Sequence, residues 1–466
     1  MNITYIIGNG FDINLGLKSR YVDFYKDYIK RTAIDDPVIQ KFRDEINEFV
    51  KQDCNKKDEN TIDWQDLEVA LGHWTEKLKV EEVEPLYINI IDSLKDYLKG
   101  EYESFDLEAF SRVEFFSYLL DPISENYNRN QITEIQNFWR GFSEPDDINI
   151  INFNYTTTIE HLSSYTGDRL YIGENTIGHK TYLNSVLHIH QSLNDEEILV
   201  GLNDVSQIAN KEIHKDKHLC NLLIKPRTNV LLGTGVDRDC ESIIRKTHLF
   251  IIFGTSAGIT DKKWWNSICT RLQNDSVRLL YFVYSPDDVK HIGIRYDVMS
   301  EKALRSFVQS AGIKDTSFFE TISSKSYVCF KSKLFKLSVS YDDRFPIEKK
   351  YQFGRTEVVV SLQDKGVKYV SLIIDAPDEK AGVLAERRWI NEFFPGAIEL
   401  MQSLSYYNLD GKNVPYDTIM ISYKGKNKNI YFDISSFYGK NDNYEIASIP
   451  MERRKTAFVE EIRNKN

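Results

Sequence analysis

The apolar positions of the chain fall into three successive rhythms. Residues 3–7, ITYII, make a short β-branched run that stops at Gly8-Asn9-Gly10 and gives way to a helical stretch. Between about residues 20 and 145 the apolar residues recur at helical spacing. Tyr21, Phe24, Tyr25, Tyr28 and Ile29 fall at i, i+3, i+4, i+7 and i+8, one face of an amphipathic helix. Trp64, Leu67, Leu71 and Trp74 repeat the spacing, and further helices are predicted near 83–98, 108–120 and 131–142.

From residue 148 the period shortens. INIINF (148–153), SVLHIH (185–190), EILVGL (197–202), THLFIIFG (247–254) and VRLLYFVYS (277–285) are short and almost continuously apolar. Strands covered on both faces read this way, so they predict a parallel sheet in an α/β layer fold that also takes in the strand at 3–7. The helical zone, about 20–145, is then an insertion into a domain spanning 1–339. The remainder, 340–466, reads as a small α+β domain. EVVVSL (357–362) and KYVSLIID (368–375) predict strands, and residues 386–407 predict helix on both sides of Pro395. TIMISYK and NIYFDISSF predict a hairpin whose turn carries Lys424, Lys426 and Lys428 at alternating positions, three positive charges on one side.

Composition narrows the class. A chain of 466 residues asks for two or three domains, and 41% hydrophobic with 28% charged residues is globular. The opening lacks a basic region followed by a long apolar core, so no secretory leader is expected. The longest apolar runs are strand-sized, far short of the ~20 residues of a bilayer span. Cys54, Cys220, Cys240, Cys269 and Cys329 form no CxxC pair, which argues against a zinc ribbon or a disulfide framework and for a reducing, cytoplasmic setting. Residues 1–145 carry 17 Lys+Arg against 29 Asp+Glu, whereas 146–339 carry 23 against 22 and 340–466 carry 19 against 19. So acidic a first third repels a phosphate backbone and argues against broad nucleic-acid binding.

Candidate chemistry gathers where the strands of the α/β zone end, the edge at which open parallel sheets bind ligands. Gly8-Asn9-Gly10-Phe11-Asp12 offers a tight turn and backbone N–H groups at a helix start, suited to an anion, or a plain strand-to-helix turn. A dehydrogenase fingerprint is incomplete, because Ile13 stands where the third glycine belongs. Asn154 follows the strand INIINF, and Thr157-x-x-Glu160 predicts a capping box for the next helix. His188 and His190 share a face of an extended strand. Each is open to three roles: a buried hydrogen-bonded ring, half of a metal pair, or a base. With no third ligand nearby in sequence, no metal is expected. Gly254-Thr255-Ser256, with Gly258 and Asp261 behind, brings small hydroxyls and amides that suit a ribose or phosphate.

Together and in this order, IIGNGFDINLGLKSRYVDF, DWQDLE, INFNYTTTIE, LHIHQ and FGTSAGITDKKWW resemble the AbiH-like family of bacterial phage-defence proteins, over about residues 1–335. The resemblance implies a sirtuin-like, Rossmann-type fold that takes NAD. It places Gly8, Asn9, Gly10, Phe11 and Asp12 over the NAD phosphates and Asn154 near the nicotinamide ribose. His190 matches the catalytic histidine, and Gly254, Thr255 and Ser256 stand on the adenosine side. Three positions depart from the relatives: Thr156 stands where an aspartate is frequent, Gln191 where glycine is common, and GTS where many have GHS. No zinc-binding cysteine module is present, which argues against a protein deacetylase.

Cleavage of the nicotinamide–ribose bond passes through a cation-like sugar, which an enzyme must hold, dry and supply with one nucleophile. An asparagine amide can position water or a ribose hydroxyl, and imidazole changes charge near neutral pH. The expected function is an anti-phage effector cleaving NAD, its substrate, to nicotinamide and ADP-ribose. The alternatives are a nucleotide-binding sensor that does not cleave and, less supported for want of a metal-binding carboxylate cluster, a nuclease. A toxic NADase must be held off, so a phage-derived trigger and a homo-oligomer are the further partners expected. Residues 340–466 are the segment free to sense or assemble, and no membrane partner is expected.

Overall fold

The computed structural model describes residues 1–31, 36–51, 66–284, 293–330, 332–337, 348–362, 370–409, 412–423 and 426–439. The chain divides into two compact units, Met1–Asp106 with Phe115–Lys336, and Leu107–Glu114 with Leu337–Asn466. Among the described residues no helix is long and apolar enough to cross a membrane.

The first unit is built on a seven-stranded sheet of β1 (Asn2–Ile7), β2 (Asp146–Asn152), β3 (Leu170–Glu174), β4 (Lys180–His188), β5 (Leu249–Phe253), β6 (Arg278–Val283) and β7 (Ser326–Phe330). The order is β3-β4-β2-β1-β5-β6-β7, and all neighbours are parallel except β3, an antiparallel edge on β4. β1 lies at the centre, with Tyr5 in register between Ile150 and Ile251. Its side chains alternate between two covered faces, so Ile3, Tyr5, Ile6 and Ile7 are all buried. The Tyr5 hydroxyl is satisfied by donating to the Leu119 carbonyl at 2.9 Å.

Between β1 and β2 the chain is helical, as its periodicity predicts. The helix Tyr21–Tyr28 buries Phe24, Tyr25 and Tyr28 against Phe42, Ile46, Leu67, Leu71, Trp74 and Ile90 of later helices. Burying each such large side chain stabilises by roughly 1.5–3 kcal/mol. Trp64 and the start of DWQDLE lie outside the described residues.

Three expectations from the apolar pattern are corrected. EILVGL is not a strand: Ile198, Val200 and Leu202 are buried against the helical insertion, with only an isolated bridge from Leu202 to Ile224. A short apolar run meets its burial demand equally well as a packed loop. β4 ends at His188, and His190 lies in the turn beyond it, so the two histidines do not share a strand face. In the second unit the helix Glu379–Phe393 stops before Pro395, and the following residues form a strand rather than more helix.

That second unit holds a six-stranded sheet of β8 (Glu348–Phe353), β9 (Thr356–Leu362), β10 (Val370–Asp375), β11 (Ile398–Leu409), β12 (Lys412–Tyr423) and β13 (Lys426–Asp433), ordered β11-β12-β13-β10-β9-β8. β10 and β13 are parallel and the other pairs antiparallel. Ala381, Ala385, Trp389 and Ile390 of the helix pack with Val358, Leu372, Ile419 and Phe432 of the sheet. The expected hairpin is β12–β13. Lys426 and Lys428 fall in β13, while Lys424 lies outside the described residues.

Candidate functional site

The chain leaves β1 toward β2 on one side, and leaves β5 toward β6 on the other. The switch point of the sheet, where ligands bind in such folds, is therefore the carboxyl edge between β1 and β5. Here the GNG turn after β1 meets the turn after β5 in direct backbone contact. Gly8 N donates to the Phe253 carbonyl at 2.9 Å, and Gly10 N to the Gly254 carbonyl at 2.7 Å. Phe11 N donates to Gly8 at 3.0 Å. A Cβ on Gly10 would stand 2.5 Å from Gly254 Cα, and Gly254 itself has a φ of +72°. The glycines are thus required by the packing of two turns. Three of the five amides that the sequence offers to an anion, those of Gly8, Gly10 and Phe11, are already donors to carbonyls of the protein.

The neighbouring residues separate by role. Asn9 exchanges side-chain hydrogen bonds with Ser19, at 2.8 Å to its carbonyl and 2.5 Å from its hydroxyl. Phe11 is fully buried edge-on to Phe115 and Phe335, part of an aromatic core rather than a pocket wall. Thr255 Oγ1 accepts from Ala257 N at 3.1 Å, and Ser256 is exposed. Asp12, one turn into the helix Gly10–Leu15, faces the end of β2, where Thr156 donates to its Oδ2 at 2.5 Å. Its Oδ1 is buried, with no hydrogen-bond partner within bonding distance among the described residues. Burial lifts the Asp12 carboxyl from its ordinary 3.8 to about 6, against the hydrogen bonds from the two threonines, Thr156 and Thr158.

Asn154 lies two residues beyond the end of β2. Its main-chain N–H donates to Asn152 Oδ1 at 3.0 Å, a local turn that aims the side chain inward. Asn154 is buried, and neither its Oδ1 nor its Nδ2 has a partner among the described residues. The expected capping box after β2 is absent: Thr157 makes no cap hydrogen bond, and Glu160 turns instead to His188, 2.7 Å from Nε2. His188 Nδ1 lies 2.8 Å from the Asn154 carbonyl. Both nitrogens of His188 are therefore committed, while burial, which opposes its charge, is outweighed by Glu160 so that its pKa is raised.

His190 is arranged differently. Its Nε2 is 2.9 Å from Asp261 Oδ1, and its ring meets Phe153 edge-on at 5.3 Å, with Phe153 stacked on Trp265. With Nε2–H donated to the carboxylate, Nδ1 of the neutral ring carries the lone pair. Asp261 Oδ1 also meets Lys225 Nζ at 2.8 Å, and Lys225 is held by both oxygens of Glu68 at 3.0 and 2.8 Å. Burial would push Asp261 up, but Lys225 and His190 hold it well below the usual carboxylate range. Glu68 stands at the start of the helix Leu67–Trp74, capped by Asp66, which accepts from Glu68 N and Val69 N. A recess of about 10 Å³, of the order of one water, opens beside His190 between Asn203, Asn229, Asp237 and Lys263.

Of the residues expected from sequence, His190 and Asp261 are brought into contact, while Asp12 meets Thr156 and Asn154 is buried in the turn after β2. Gly8, Gly10 and Gly254 shape the turns after β1 and β5. Glu68, Lys225, Glu160 and His188 complete the hydrogen-bonded frame. Lys225 lies in no motif, and Glu68 closes DWQDLE, whose pattern gave it no role. Gln191, where glycine is common in the relatives, has a φ of 61°, the left-handed region that favours glycine.

No curated protein matches this chain. The family model described as bacteriophage abortive infection AbiH matches residues 4–283, which takes in β1 to β6 and every site residue named above. That match covers more than half of the chain: it belongs to the AbiH family, and its role lies in abortive-infection defence against bacteriophage.

Proposed function

We propose that the chain is a defence effector that cleaves NAD to nicotinamide and ADP-ribose at the edge between β1, β2 and β4, in a sirtuin-like version of the doubly wound fold. Two observations support this reading: a buried Asn154 amide with no partner at either atom among the described residues, and a histidine held by a buried carboxylate. A buried amide without partners costs about 1–3 kcal/mol per group and is retained where a ligand repays it.

In the proposed reaction the bond between ribose C1′ and the pyridinium nitrogen breaks, and its electron pair neutralises the ring as nicotinamide leaves. Water adds to C1′ and gives up one proton. Asn154 holds a ribose hydroxyl or the water, and His190 Nδ1 takes the proton. Asp261, across the ring, faces the imidazolium that results, the arrangement by which a buried carboxylate supports a histidine base. His188, clamped to Glu160, fixes the main chain of Asn154. Asp12 stands ready to hydrogen-bond the sugar or the nicotinamide amide. The second unit, which brings none of these residues, is assigned to sensing or assembly.

Etheno-NAD, which brightens when its glycosidic bond is cut, tests the reading on purified protein. Fluorescence should rise with the wild type and not with Asn154→Ala or His190→Ala. Binding without cleavage in the wild type would instead assign a nucleotide sensor.

A further inference from the structure

Four ionisable groups form one buried line that ends on His190. Lys225 and His190 meet the same oxygen, Oδ1 of Asp261, at 2.8 and 2.9 Å, and Glu68 grips the far side of Lys225. The side chains are 5%, 7%, 13% and 8% exposed for Lys225, Glu68, Asp261 and His190, so solvent screens little of what passes between them. Gly201 N donates to Glu68 Oε1 at 3.0 Å and fixes the outer end. Two carboxylates against one ammonium leave one surplus negative charge facing the imidazole.

The other ionisable groups around the ring are arranged so as not to cancel that surplus. Asp237 and Lys263 pair with each other at 2.6 Å across the recess, with Glu241 at 3.0 Å from Lys263. His188 is paired with Glu160. Tyr155, 6.2 Å from the His190 ring, is kept neutral by burial, and Asp66, two residues before Glu68 and raised by burial to about 6, is mostly ionised at pH 7 and adds to the surplus rather than cancelling it.

We propose that Glu68 and Lys225 are positioning residues for His190: without touching substrate they set, through Asp261, how readily its imidazole holds a proton. Glu68 belongs to the helical insertion, so the insertion is tied to the catalytic edge by charge as well as by packing. Lys225 alone would take most of the field of Asp261 for itself. Glu68 draws Lys225 back and leaves Asp261 available to the imidazolium. The proposal rests on His190 being the base of the proposed cleavage, but the charge of the ring is measurable without turnover.

The test is nitrogen NMR of the histidine rings in the full chain at pH 7, with His190 assigned by loss of its signal in His190→Gln. Glu68→Gln keeps the shape and removes one charge, leaving Lys225 facing Asp261 alone. The ratio of imidazolium to neutral His190 should fall roughly tenfold, the scale of one charge acting over several ångströms at an effective dielectric near 20. Adding Lys225→Met to Glu68→Gln removes the opposing charge without leaving a carboxylate at 68, and should bring the ratio back toward the wild type. The acid limb of the pH–rate profile for NAD cleavage should move to lower pH in the single variant and return in the double. An unchanged ratio in a folded Glu68→Gln protein overturns the proposal, as does a double variant that stays with the single one. Should the wild type leave NAD intact, the proposed function fails while the ring charges still decide this point.

Discussion

His188 Nδ1 lies 2.8 Å from the carbonyl oxygen of Asn154, and its Nε2 lies 2.7 Å from Glu160. A ring facing two oxygen acceptors is fully satisfied only as imidazolium, with both N–H groups donating. The strut therefore weakens when the ring loses its proton. Because its folded pKa is raised, the stability it contributes is fully present below about pH 6.5 and is lost as pH rises through the folded value. Between pH 6 and 9 the wild type should lose more stability than His188→Asn in urea unfolding. Parallel pH dependences for the two proteins would show that His188 is not a charged strut.

Asp12 predicts a gain in stability at a cost in function. Its carboxyl is raised to about 6, so the folded state favours the protonated form. The associated stability is present below pH 3.8 and is lost as pH rises through 6. At pH 8 the buried ionised group costs about 2–3 kcal/mol. Asp12→Asn keeps an oxygen for Thr156, so it should stabilise the protein at pH 8, change little at pH 4, and reduce NAD cleavage. Thermal unfolding at the two pH values checks this, and equal shifts at both would contradict it.

Gly10 is expected to matter for folding before it matters for any ligand. An added Cβ meets Gly254 Cα at 2.5 Å, with the Gly254 carbonyl behind it, and neither backbone can yield without displacing β1 or β5. Gly10→Ala should cost about 1–3 kcal/mol of stability, the range for overpacking, seen as a lower urea midpoint. A substitution that left stability intact while abolishing nucleotide binding would restore the phosphate-cradle role that the sequence suggests.

The second unit has its own titrating group. Glu386, on the helix Glu379–Phe393, is wholly buried beside Asp417, and burial, reinforced by Asp417, pushes it up to about 8. The stability it confers is present below about pH 4.5 and is lost as pH rises through 8. Glu386→Gln should therefore stabilise the protein at pH 9, by about 2–4 kcal/mol, and much less at pH 5. Circular dichroism melts at both pH values are sufficient.

The sheet and the helical insertion were legible because their apolar periods are long or their strands buried on both faces. β3 and β7 were missed, since LYIGE and SYVCF are short and mixed, and their place in the sheet comes from partners far away in sequence. EILVGL misled because a packed loop and a buried strand share one apolar pattern. Within the site, Asp12, Asn154, His190 and Asp261 were found because each follows a strand end. Glu68 and Lys225 lie 157 residues apart, and nothing local marks two surface-type residues that burial will force to pair. Glu160 was read as a cap because its spacing from Thr157 is right. The histidine that claims it comes from β4, 28 residues on.

We propose that this family member defends by destroying NAD at Asn154 and His190. The most direct measurement is mass spectrometry of NAD, nicotinamide and ADP-ribose in phage-infected cells that carry the wild-type chain or His190→Ala. As the wild type protects the culture, NAD should collapse and ADP-ribose rise. With His190→Ala, folded and equally abundant, cleavage should be slower by at least about 100-fold, within the range for removing a general base, and protection should be lost. Protection by the wild type with NAD unchanged would contradict the account.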